Sequence, residues 1–350
     1  MNPFYQIIAT TFTSFIICFF AIPSIIKIAE LKNLFDEPDD RKRHSKSVPT
    51  LGGIAIFAGA IFSITFWANQ GQIVELQYII ASLLILFFVG IKDDIVNLVA
   101  HKKLLGQIIA ACIIVFFADI RLTSLYGILG IYHLSYTPSC IISLLAVIGI
   151  TNSFNLIDGI DTLAGSVGLL STLLFGSWFF LAEHHQYAIM AFSLAGALLA
   201  FLYFNRTPAK VFMGDTGSLL VGLICSIMAI KFVEFNRDYI GPKQYQIFSV
   251  PAVAISVLII PLFDTLRVMV IRLLNKKSPL SPDRNHIHHI LVDLGLSHHK
   301  SVLILISLNF LLVVLAYQLQ HITGEILLGI LLILMGGFTA FLSFKRKRLA

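Results

Sequence analysis

Apolar runs long enough to cross a bilayer recur along the whole chain, separated by short polar stretches. In lipid every backbone N–H and C=O must find a partner within the protein, so runs of this length read as helices. Eleven candidate spans result, at about 4–28, 51–68, 73–91, 104–118, 138–153, 163–182, 186–204, 216–234, 249–272, 301–319 and 324–344. The fourth and fifth are short, as expected of helices shielded by neighbours or ending early in an aqueous cleft. The composition agrees: 57% of the residues are hydrophobic and 13% charged, against about 25% charged in a soluble domain.

The expected fold is therefore an all-α polytopic integral membrane protein, one domain over residues 1–350, with 346–350 as a basic tail. Residues 4–28 have neither a basic leader nor a small-residue cleavage site and read as a retained span. Cys18, Cys112, Cys140 and Cys225 lie in or beside apolar runs without metal spacing and read as packing residues. Lys and Arg concentrate in the loops after odd-numbered spans and in the tail Lys345–Arg348. The positive-inside rule then places the N-terminus outside and the C-terminus in the cytoplasm. The setting is a cell (inner or plasma) membrane, and the lipid bilayer is itself a partner.

Five polar segments fall on that basic side: residues 36–53, 92–97, 152–161, 212–218 and 278–289. Asp93 and Asp94 repel one another unless a cation balances them, and Mg²⁺, with Mn²⁺ as substitute, suits such oxygen ligands. A solvated pair at a helix end is the alternative. Asn152, Asn155, Asp158 and Asp161 recur every three residues, which on a helix would align them on one face. A capped turn with Asp161 as N-cap of the sixth span would explain only one of them. Asp215 lies between Gly214 and Gly217 before the eighth span, where backbone approaches closely and helix N-termini attract phosphate; it could equally cap that helix.

Asp264 and Arg267 sit three residues apart within the ninth span and can pair on one face. They read either as support for the site or as a tether. Arg284, His286, His288 and His289 suit hydrogen bonding to a diphosphate better than zinc, with no cysteine near. His298 and His299 read as interfacial residues. Lys42, within Arg41–His44, is a candidate phosphate clamp, with a topological anchor as the alternative. One of Lys102 and Lys103 is expected at the site, beside Gln107, and the other outside it.

These segments, in this order, resemble the polyprenyl-phosphate N-acetylhexosamine-1-phosphate transferase family. The resemblance runs from about Asp36 to Lys300. It implies transfer of a sugar-1-phosphate from a UDP-N-acetylhexosamine donor to a polyprenyl (undecaprenyl) phosphate acceptor at the cytoplasmic face, with Mg²⁺ bound and UMP released. By position it implies Asp93 and Asp94 as catalytic carboxylates and Asp215 with Asp94 as metal ligands. Asn155, Asp158, Asp161, His286, His288 and His289 would bind the nucleotide sugar and Lys103 phosphate; Arg284 and Lys42 join them on the reading of the residues given above. Asn97 stands where the family's DDxxD ends, and Thr162 where DGxDG has its last glycine. Ile287 interrupts the histidine run as in the WecA type, which favours UDP-GlcNAc over the pentapeptide donor of the MraY type. A secondary transporter is the rival from another class. No nucleic acid partner is expected, and a homodimer is compatible with the sequence.

Overall fold

The computed structural model describes residues 2–32, 48–68, 74–278 and 285–349. All eleven apolar runs fall on helices. These are α1 (Pro3–Leu31), α2 (Gly52–Trp67), α3 (Leu76–Val96), α4 (Ala100–Cys112, extended by a π-helical turn to Phe117), α5 (Tyr136–Ile157), α6 (Leu163–Leu181), α7 (His185–Asn205) and α8 (Gly214–Arg237), then the bent pair α9 (Val250–Val257) and α10 (Ile259–Leu274). A short α11 (Ile287–Asp293) precedes α12 (His298–Gln318) and α13 (Gly324–Leu349). Among the described residues eight helices are long and apolar enough to cross a membrane, and the bent pair makes a ninth. The four cysteines are free, and Cys18, Cys140 and Cys225 are buried.

The central pillar is α8, almost wholly buried from Thr216 to Val233 and packed on α2, α3, α5, α6 and α9. By contrast α1, α12 and α13 expose large apolar side chains such as Phe20, Leu311 and Ile333, the face a bilayer would cover. Neither the fourth nor the fifth run is short. α4 and its π turn span 18 residues, and α5 spans 22. Hydropathy loses α5 early because polar Asn152 and Asn155 sit on its last turns.

The run at 249–272 is not one straight helix. α9 and α10 meet at Leu258 with an 84° bend. Pro261 has no N–H to return to the Val257 carbonyl, so the helical ladder breaks there. Asn309 of α12 repairs the loss: its Nδ2 donates to the Ser256 and Val257 carbonyls at 3.1 and 3.3 Å. A broken helix survives at membrane depth only with such a partner.

Glycine decides how closely α3 meets α8. A Cβ on Gly90 would overlap the Thr216 backbone. Gly90 and Asp94 share a face of α3, so this close crossing carries Asp94 onto the first turn of α8. Residues 49–53 join the same end of the bundle through backbone bonds, Phe212 N–H to the Pro49 carbonyl at 2.8 Å and Gly52 N–H to the Phe212 carbonyl at 2.9 Å. The described parts of all five polar segments therefore gather at one end.

Candidate active site

The paired aspartates divide. Asp94 turns to α8 and accepts from the backbone N–H of Asp215 (2.7 Å), from that of Thr216 (3.1 Å) and from Thr216 Oγ1 (2.6 Å). It caps the helix N-terminus from a neighbouring helix. Asp93 turns the other way. Its Oδ1 accepts from Leu98 N–H, and its Oδ2 lies 3.4 Å from Lys103 Nζ. Asn97 ends α3 with a positive φ of 50°, a conformation Asn tolerates. Where the family pattern carries a third carboxylate, this chain has the residue that stops the helix.

Lys103 is the centre of the first cluster. Its ammonium donates to Asn155 Oδ1 at 2.8 Å and to Asp215 Oδ2, and it faces Asp93. Asn155 also donates from Nδ2 to Asp215 Oδ1 (2.7 Å) and Ser218 Oγ (2.9 Å). Lys102 is exposed, so Lys103 is the lysine at the site. Three hard oxygens, from Asp93, Asn155 and Asp215, thus converge on a single positive charge. That donor set fits Mg²⁺, which binds through one or two carboxylates and completes its shell with water and substrate phosphates. Among the described residues no three His, Cys, Asp or Glu side chains form a metal cage, as a cation shared with substrate allows.

An apolar cleft of about 740 Å³ opens from this cluster. Lys103, Asn152 and Asn155 line its polar end, and Leu145, Ile148, Leu262 and Leu266 are among its apolar walls. The bend between α9 and α10 shapes one side.

The second cluster begins where α5 stops. The three-residue register of 152–161 stays helical only through Asn155, because the helix ends at Ile157 and Asp158 is its C-cap. Asp161 does not cap α6. The N-cap position is Thr162, which makes no side-chain cap bond. Thr162 adopts φ +67° where the family pattern has glycine, and its N–H donates to Asn205 Oδ1 at 2.7 Å. Asp161 is buried, with its carboxylate 3.4 Å from His298 Nδ1. The expectation that His298 is merely interfacial is corrected: α12 brings it to the site. No local pattern marks it, since its partner lies 137 residues away (298 − 161).

Asp264 is buried within α10 and gathers the histidine segment. It accepts from Arg267 at 2.8 Å, faces His286 Nδ1 at 3.0 Å, and accepts from Ile287 N–H at 3.1 Å. Arg267 also donates to the Asn285 carbonyl. His288 packs against the α5–α6 loop, where a Cβ on Gly159 would overlap its Nε2. Burial pushes the His288 pKa down to about 3, and neighbouring His289 pushes the same way. Its ring is therefore neutral near pH 7. His289 stays half-buried, its ring 4.2 Å from that of His288. Lys42 and Arg284 lie outside the described residues.

Residues 76–233 match the model of glycosyl transferase family 4. Across 341 residues the chain is 33% identical to a protein of Bacillus subtilis named "probable undecaprenyl-phosphate N-acetylglucosaminyl 1-phosphate transferase", covering 94% of this chain and 89% of that one. It is 30% identical to the undecaprenyl-phosphate alpha-N-acetylglucosaminyl 1-phosphate transferase of Yersinia pestis, over 86% of this chain and 78% of the relative. The Escherichia coli K12 protein of the same name is also 30% identical, over 80% and 74%.

Proposed function

The chain belongs to glycosyl transferase family 4, and from that membership we infer that it transfers GlcNAc-1-phosphate from UDP-GlcNAc to undecaprenyl phosphate. UMP is released, and the lipid-linked sugar starts a cell-envelope glycan. The observation that carries this reading is the Asp93–Lys103–Asn155–Asp215 cluster, whose Lys103 and Asn155 line a largely apolar cleft of about 740 Å³. An amphiphile with a polyprenyl tail and a phosphate head matches that arrangement: the tail lies along the apolar walls and the head reaches Lys103.

Two anionic substrates must meet, so the site has to offset their repulsion. An acceptor phosphate oxygen forms a bond to the β-phosphorus of the UDP-sugar, the bond from that phosphorus to the bridging oxygen breaks, and UMP leaves. Lys103 donates to phosphate oxygens. Asp93 and Asn155, held on separate helices, fix the position of that ammonium. Asp215, with Asp93 beside it, would hold Mg²⁺, which would supply the further positive charge that the diphosphate demands. Asp94 acts on Asp215 through the first turn of α8. Asp158, at the start of the α5–α6 loop, and His289, beside His288, face the nucleotide-sugar side.

In this reading α2, α3 and the bent pair also cross the membrane. The spans then number eleven, with the N-terminus outside and the site at the cytoplasmic face of the cell membrane. The test is purified protein in detergent with undecaprenyl phosphate, UDP-GlcNAc and Mg²⁺, following UMP release and a lipid-extractable sugar. Activity abolished by EDTA and by Asp215→Asn supports the reading. Folded protein that releases no UMP from UDP-GlcNAc overturns it.

A further inference from the structure

The three histidines of α11 and its N-cap are not equivalent. His288 is sealed against Gly159, with Nε2 buried and, among the described residues, without a hydrogen-bond partner. His289 is half-buried at the cluster's edge. His286 has a carboxylate behind it: Asp264 Oδ2 at 3.0 Å from Nδ1, with both side chains almost fully buried. A carboxylate that pairs with Arg267 and accepts from Ile287 N–H is ionised and can only accept. The proton between Asp264 and His286 therefore belongs to Nδ1 of the ring. This fixes the tautomer and leaves Nε2 as the ring's functional nitrogen.

The support is over-determined. One carboxylate holds the His286 ring, the backbone of the next residue and Arg267, while Arg267 holds the Asn285 carbonyl just before it. Three groups, from α10 and from the segment that opens α11, thus converge on one buried aspartate, and a fourth, the Asn285 carbonyl, is held through Arg267. A tether between α10 and α11 would need only one of these bonds. Fixing both the ring and the backbone on either side of it is what orienting one nitrogen requires.

We propose that Asp264 is a positioning residue for sugar-phosphate transfer: with Arg267 it locks His286 in one tautomer and orientation, so that Nε2 acts on the donor diphosphate while His288 serves only packing. This rests on the transferase reading above. Asp264 acts through His286, so its loss belongs to turnover more than to donor affinity.

The experiment is a double-mutant cycle in the UMP-release assay, with Asp264→Asn, His286→Gln and the double variant, each checked for folding by its melting temperature in detergent. In the wild-type background Asp264→Asn lowers kcat about 10–100-fold, the range for residues that orient a functional ligand, and changes KM for UDP-GlcNAc less than about threefold. In the His286→Gln background the same substitution costs less than about threefold in kcat. Asp264→Glu keeps the charge and restores part of the wild-type turnover. If the Asn variant does not fold, the Glu variant in the two backgrounds gives the same comparison. Equal losses in both backgrounds, or wild-type kcat in Asp264→Asn, overturn the proposal. Inactive wild-type protein in the same assay sinks the transferase reading instead, so the two failures are distinguishable.

Discussion

Replacing Asp94 with asparagine separates two roles that an aspartate can hold here. Asp94 receives three donors at the start of α8: Asp215 N–H, Thr216 N–H and Thr216 Oγ1–H. Asparagine offers one acceptor oxygen and turns an NH₂ toward the rest. Whichever way the amide sits, at least one of these bonds is lost and a buried donor is left facing the NH₂, which costs about 1–3 kcal/mol. Asp94→Asn should therefore destabilise the protein by about 1–3 kcal/mol. Turnover falls with it, because the loosened turn carries Asp215. The assay pairs SDS-titrated unfolding in mixed micelles with UMP release on the same preparation. A variant that unfolds with the wild type yet has lost its turnover about a thousandfold would refute the cap and make Asp94 part of the chemistry.

Gly159→Ala drives a methyl into His288 Nε2. Overpacking of this kind costs about 1–3 kcal/mol, and the melting temperature and the KM for UDP-GlcNAc should both worsen, while Gly336→Ala, with open space around it, changes neither. Asn309→Leu removes the amide that donates to the Ser256 and Val257 carbonyls at the α9–α10 break, leaving Val257 with Ser171 Oγ at 3.5 Å; a stability loss of about 1–3 kcal/mol is expected, and unchanged unfolding would mean that the bend does not depend on α12. His288 is neutral in the fold, with its pKa near 3, whereas an unfolded histidine titrates near 6.5, so its share of stability is complete above about pH 6.5 and drains as pH falls toward 3, by about 1.4 kcal/mol per unit. Unfolding measured from pH 7 to 5 should show that slope, and His288→Gln should remove it; an equal slope in the variant would assign it to other groups.

Much of the site is legible in the sequence because it lies in short polar segments between apolar runs. Asp93, Lys103, Asn155 and Asp215 stand out for that reason, and they meet through direct side-chain contacts. The i, i+3 register of 152–161 misleads because periodicity alone cannot show where a helix stops. α5 ends at Ile157, and the two later aspartates belong to a loop. Hydropathy, for its part, clips α5 where its polar residues begin.

The sequence alone determined that this chain buries its backbone in helices, since runs of apolar residues in lipid have no other way to satisfy their N–H and C=O groups. It also determined which loops carry charge, because ionisable groups are too costly to leave elsewhere. Only the tertiary structure decided which aspartate of the pair caps a helix and which faces the lysine. It alone paired Asp161 with His298, set Asp264 behind His286, and sealed His288 against Gly159. Those outcomes depend on distances between helices remote in sequence. Close crossings such as Gly90 on Thr216 and the break before Pro261 set those distances, and no local pattern of residues encodes them.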